Sequence, residues 1–121
     1  MDEIIGTIAE QVGIDAGVAQ SAIAIILNFL KSEGPDADIA KLFEAMPGAE
    51  ALAETASGGG GGLMGMMGGA MGAFNQLSST GLDMGQIQSL SSVLLSTAKE
   101  KAGEDTIDNI VSNIPGLSQF M

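Results

Sequence analysis

In this chain of 121 residues the side chains able to do chemistry are carboxylates, hydroxyls and four amines. Fifteen acidic residues stand against Lys31, Lys41, Lys99 and Lys101, and His, Cys, Arg, Trp and Tyr are all absent. Carboxylates are dense in two places, Glu33 with Asp36 and Asp38, and Glu104 with Asp105 and Asp108. Grouped carboxylates can exchange protons or hold a hard cation. Here both groups fall at expected helix starts, where the helix dipole favours negative charge for structural reasons alone. Neither matches the D-x-D-x-D-G loop with a distal Glu that calcium requires. The serines have no His base, and a transition metal would find neither imidazole nor thiolate. The G-x-x-x-x-G spacings near residue 60 lack the following Lys and Ser/Thr and follow no strand, so they do not make a phosphate loop. The chain is therefore expected to be no enzyme and to carry no catalytic residue, metal site or cofactor.

A net charge of −11 narrows the partners. Four lysines cannot release counterions along a phosphate backbone, and the residues that read or stack bases are missing, which argues against nucleic acid. No basic stretch offsets repulsion from an anionic membrane surface. Without cysteine there is no disulfide framework. The opening Met1-Asp2-Glu3-Ile4-Ile5 puts acid where a signal peptide needs a basic region, and no apolar run reaches the ~18 residues of a spanning helix. The expected location is the cytoplasm, with no transmembrane segment.

Hydrophobic residues make up 45% of the chain but only Phe29, Phe43, Phe74 and Phe120 are aromatic, so Ile, Leu, Val, Ala and Met must fill the core. These are residues that suit helices, and the alternating β-branched and aromatic runs of strands are missing.

Sliding the sequence over itself by 68 positions aligns residues 13–50 with 81–118 without a gap, giving ten identities in 38 positions. Average composition predicts roughly three by chance. The identities include Gly13/Gly81, Asp15/Asp83, Leu27/Leu95, Lys31/Lys99, Ile39/Ile107, Pro47/Pro115 and Gly48/Gly116. These are turn and core residues, the marks of a shared fold.

In each copy a first helix, from Asp2 to about Val12 and from about Phe74 to Ser79, should end at Gly13 or Gly81 in a left-handed conformation. Asp15 and Asp83 stand where N-caps belong, and Gln86 completes a capping-box pattern with Asp83. A long helix follows. In the first copy Val18, Ala22, Ile25, Ile26, Phe29 and Leu30 share a face and Ile23 and Leu27 extend it, predicting a helix buried on most sides. Its counterpart has one apolar stripe, Ile87, Leu90, Leu94 and Ala98, opposite Ser89, Ser92 and Ser96, and should lie nearer the surface. Lys31 and Lys99 read as solvated tips. Gly34-Pro35 and Gly103 stop these helices, and Asp36 and Asp105 are expected to cap short third helices bearing Ile39, Leu42 and Phe43 or Ile107, Ile110 and Val111. Met46-Pro47-Gly48 and Ile114-Pro115-Gly116 then turn the chain, and residues 49–54 and 117–121 are expected to be closing turns.

Between the copies, no charge occurs from Ala56 to Leu82, and residues 58–72 are almost entirely Gly and Met. Such a stretch can serve as a flexible linker. Linkers are usually polar, however, and an exposed Met-rich stretch marks an interaction surface. If helical, its glycines at 61, 65, 69 and 72 would share a face that permits close helix packing. A contact with ligand or membrane is the remaining reading. Leu63, Met64, Met66, Met67, Met71 and Phe74 are the candidate interaction residues.

The pattern resembles a bacterial family, the domain of unknown function numbered twenty-two sixty-seven. The resemblance is carried by Val12-Gly13-Ile14-Asp15, Ala45-Met46-Pro47-Gly48-Ala49-Glu50, the Gly/Met middle, Lys99-Glu100-Lys101-Ala102-Gly103-Glu104 and Ile114-Pro115-Gly116-Leu117-Ser118-Gln119-Phe120. The chain is more loosely similar to VcgC/VcgE-type and YidB-like proteins. The resemblance implies an all-helical fold with no assigned activity and brings no catalytic residues with it.

The expected fold is all-α: two pseudo-symmetric helical repeats, residues 1–55 and 74–121, packed as one small bundle and joined by a Gly/Met-rich connection at 56–73. A unit of about 45 residues rarely buries enough apolar surface to stand alone, so the repeats must share a core, within one chain or between chains. The expected function is protein–protein association, most simply with a second copy. The alternative is carriage or sensing of an apolar small molecule or lipid.

Overall fold

A computed structural model of the chain describes residues 2–57 and 77–114. Six helices are present among them: α1 Asp2–Val12, α2 Ala16–Glu33, α3 Asp36–Ala45, α4 Ala49–Ser57, α5 Met84–Ala102 and α6 Glu104–Asn113. A short helical stretch at 77–79 precedes α5, and no strand occurs among the described residues. The fold is all-α, as the residue palette predicts.

Helix breaks fall where backbone chemistry places them. Gly13 ends α1 with φ +81°, and the Ile14 N–H donates to the Ala9 carbonyl at 3.0 Å, five residues back, as a left-handed helix terminus requires. The axes on either side of this break, Glu3–Val12 and Ala16–Lys31, are bent by 107°. Gly81 and Gly48 also have positive φ, +96° and +91°, the latter in the turn after Met46 that launches α4.

One apolar core joins the described elements. α2 packs against α1, α3, α5 and most extensively α4, while α5 packs against α1, α2, α3 and α6. α3 also lies on α6. Ile8, Ile23, Leu27, Leu30, Leu42, Met46, Ile87, Leu90, Leu94, Leu95, Ile107 and Ile110 are the largest fully buried side chains. Burying a Leu or Ile of this size stabilises by roughly 1.5–3 kcal/mol, so these residues dominate the favourable side of folding.

Three local expectations are corrected. The closing turn at 49–54 is instead the start of α4, whose Ala49, Leu52 and Ala53 are buried against the rest of the core. Its Ala-rich composition propagates a helix, and the i, i+3, i+4 spacing of those three residues supplies an apolar face. Asp36 is not an N-cap: Pro35 holds that position, and Asp36 and Asp38 lie in the first turn of α3. Likewise Gly103 takes the N-cap position of α6, with Glu104 and Asp105 following in its first turn. The carboxylates remain within reach of the helix dipole while the backbone supplies the break.

Candidate functional site

The interaction residues expected from the sequence, Leu63, Met64, Met66, Met67, Met71 and Phe74, lie outside the described residues, as do the turn residues Pro115 and Gly116. What the structure places is the ground on either side of the Gly/Met stretch. On one side α4 runs to Ser57 and is seated on α2, with the Asn28 Nδ2 donating to the Ala53 carbonyl at 3.3 Å. On the other, Leu77 and Leu82 are buried at 4% and 6% exposure, anchoring the chain just before α5.

The return of the chain is locked by a cap. The Asp83 carboxylate accepts from the Gln86 N–H at 2.8 Å, and the Asp83 N–H donates to Gln86 Oε1 at 3.2 Å. This is the reciprocal capping box read from the sequence. Asp15, at the matching position before α2, has extended backbone but makes no side-chain cap hydrogen bond, so its expected capping contact is not made. Val18, three residues after Asp15, has no side chain able to return a bond, so the reciprocal part of the Asp83/Gln86 box has no counterpart there.

Directly after the capping box stands Met84, 60% exposed and the large exposed hydrophobic among the described residues. Sequence reasoning passes over it because it falls outside the apolar stripe of α5. Its place outside that stripe, two residues after the uncharged stretch ends at Leu82, is the signal that could have found it. Pro47 and Gly48 are exposed in the turn between α3 and α4, and Gly13 and Gly81 are exposed residues with positive φ just past helical stretches.

The carboxylate groups do not assemble into a site. No group of three or more His, Cys, Asp or Glu able to hold a metal ion occurs among the described residues. Glu104, Asp105 and Asp108 are exposed on α6. Asp108 lies 3.7 Å from Lys99 Nζ, and Glu54 lies 3.9 Å from Lys31 Nζ. Lys31 and Lys99 are therefore half-exposed partners of ion pairs, α2 to α4 and α5 to α6, rather than free solvated tips. Pairs this exposed are worth at most about 1 kcal/mol each.

Among the described residues no single helix is long and apolar enough to cross a membrane. The bent pair of α1 and α2 meets the test of length and composition, but its Ile5, Ile8, Ile23, Ile26 and Leu27 are buried in the core. The chain matches no protein-family model, no curated protein and no solved structure.

Proposed function

We propose that this protein is an acidic, cytoplasmic association module, without catalytic activity of its own, that joins copies of itself or another protein through the Met-rich stretch between α4 and α5. The observation that carries the reading is Met84. A helix that buries Ile87, Leu90, Leu94 and Leu95 nevertheless presents a methionine at 60% exposure at the point where the uncharged stretch rejoins the fold. With Leu63, Met64, Met66, Met67, Met71 and Phe74 it makes a set of flexible, polarizable side chains suited to an adaptable protein contact. The charge distribution supports the same reading. A surface carrying −11 overall repels other copies, and a stretch without charge is where that repulsion is least.

The scaffold is a duplication. α5 and α6 begin 68 residues after α2 and α3, the offset that aligns the sequence with itself. Burial follows the same register at Leu27/Leu95, Ile39/Ile107, Leu42/Ile110 and Met46/Ile114.

The test is replacement of Leu63, Met64, Met66, Met67 and Met71 by serine at constant chain length, with mass in solution and helix content measured together. The expected result is a loss of oligomeric mass with helix content retained, and Met84→Ser should weaken association in the same direction. An unchanged mass would overturn the proposal. A retained lipid-sized adduct on the unaltered protein would favour the alternative, a carrier or sensor of an apolar molecule.

A further inference from the structure

We infer that Met84 is a site of reversible oxidation by a hydroperoxide, and that conversion of its thioether to the sulfoxide weakens association while the fold stays intact. The site stands on burial and composition, and its effect on association rests on the reading above. The chain contains eight methionines and no Cys, His, Trp or Tyr, so methionine is the side chain on which a mild two-electron oxidant acts. No thiol is present to intercept the oxidant first.

The described residues hold two of the eight methionines, at opposite extremes of burial. Met46, which closes α3, is 1% exposed, whereas Met84, which opens α5, is 60% exposed. The oxidant must reach the lone pair on sulfur. Met84 therefore reacts from the native state, and Met46 reacts only when the chain around it opens.

The fold makes no demand for methionine at position 84. α2 also begins after an aspartate with extended backbone, Asp15, and its first residue is Ala16, which is exposed as well. The start of α5 is held by the two reciprocal hydrogen bonds of Asp83 and Gln86 and by Leu82 and Ile87, at 6% and 0% exposure. Neither hydrogen bond involves the Met84 side chain, so a change in its polarity leaves the helix start in place.

In the reaction the Met84 Sδ lone pair attacks the outer oxygen of the hydroperoxide, and an S–O bond forms as the O–O bond breaks. Sulfur gives up two electrons. The departing oxygen takes them and the proton of the transferred oxygen, leaving as an alcohol, or as water when the oxidant is hydrogen peroxide. A polar, chiral sulfoxide replaces a flexible apolar thioether, and a methionine sulfoxide reductase can restore it. A contact that buries the thioether would have to desolvate the sulfoxide oxygen, which costs free energy and loosens the contact.

The test begins with the unaltered full chain in hydrogen peroxide, with peptide mass mapping and helix content followed over time. Met84 is expected to gain one oxygen at least about tenfold faster than Met46, with helix content retained, and a sulfoxide reductase should remove that oxygen. Equal rates at Met84 and Met46 would overturn the site. Two single variants read the effect on association: Met84→Gln, polar and close to the sulfoxide in length, and Met84→Leu, apolar and not oxidisable. Mass in solution should fall for Met84→Gln and hold for Met84→Leu. The same mass for both would overturn the control of association. If serine replacement of the Met-rich stretch still dissociates the protein, the association reading survives that failure. An unaltered chain that is monomeric before any oxidant would refute self-association and this control with it, while the two oxidation rates still decide the site.

Discussion

α2 and α5 occupy matching places in the sequence, yet they reach burial by different means. α2 is apolar around most of its circumference, with Ala19, Ala22, Ile23, Ala24, Ile26, Leu27, Phe29 and Leu30 all buried. α5 buries Ile87, Leu90, Leu94, Leu95 and Ala98 and leaves Ser89, Ser92 and Ser96 exposed. The extra apolar face of α2 has an occupant, α4, whereas the serine face of α5 has none among the described residues. The lesson is that the surroundings of a helix, rather than its sequence register with another helix, select its circumference. One further pair, 68 residues apart, shows this directly: Ile23 is 0% exposed and Ser91 is 3% exposed, so α5 buries a hydroxyl where α2 buries an aliphatic side chain.

The sharpest way to break the comparison is at the residues the two helices share. Leu27 and Leu95 are each 1% exposed, so Leu27→Ala and Leu95→Ala should each lower unfolding free energy by about 2–5 kcal/mol in urea titrations. A much smaller cost at Leu95 would mean that α5 is not held in the core as α2 is. Next in size are the two helix breaks. Gly103 has φ +101° and ψ 144°, a region nearly confined to glycine, and Gly103→Ala should cost about 1–3 kcal/mol by the same measurement. Gly34 has an ordinary φ of −83°, but an added Cβ would lie 2.7 Å from the Leu30 carbonyl oxygen and 2.9 Å from Ile39 Cδ1. Gly34→Ala should therefore also destabilise, and by crowding rather than by backbone strain, so trimming the neighbour with Ile39→Val should relieve part of its cost and none of the cost at Gly103.

Smaller effects separate the two caps. Asp83→Ala removes the capping box and should cost about 0.5–2 kcal/mol, while Asp15→Ala, which removes no cap hydrogen bond, should cost less than Asp83→Ala in thermal melts. Smallest are the ion pairs. Glu54→Gln and Asp108→Asn should each change stability by at most about 1 kcal/mol, with the difference from the unaltered protein shrinking as salt is added.

Much of this fold is legible in the residues. The glycines at 13, 48 and 81 mark breaks because a left-handed backbone ends or turns the chain there, and the Asp83/Gln86 pair announces its cap by spacing alone. α4 escapes a sequence reading because it follows Pro47-Gly48 closely and is rich in alanine, whose small side chain carries little hydrophobic signal even when fully buried. The N-cap positions of α3 and α6 are hard to place because an acidic residue near a helix start can serve in the first turn as well as at the cap. The candidate site is legible in part: the uncharged Met-rich stretch stands out in the composition, but Met84 gains meaning only once α5 shows which of its residues the core takes.

The most direct test of the central claim is native mass spectrometry of the untagged full chain, which reports stoichiometry and retained ligand in one spectrum. The account predicts a multimer of the 12.2 kDa chain, alone or with another protein chain, and no small-molecule adduct. A monomer carrying a reproducible extra mass in the lipid range would contradict it.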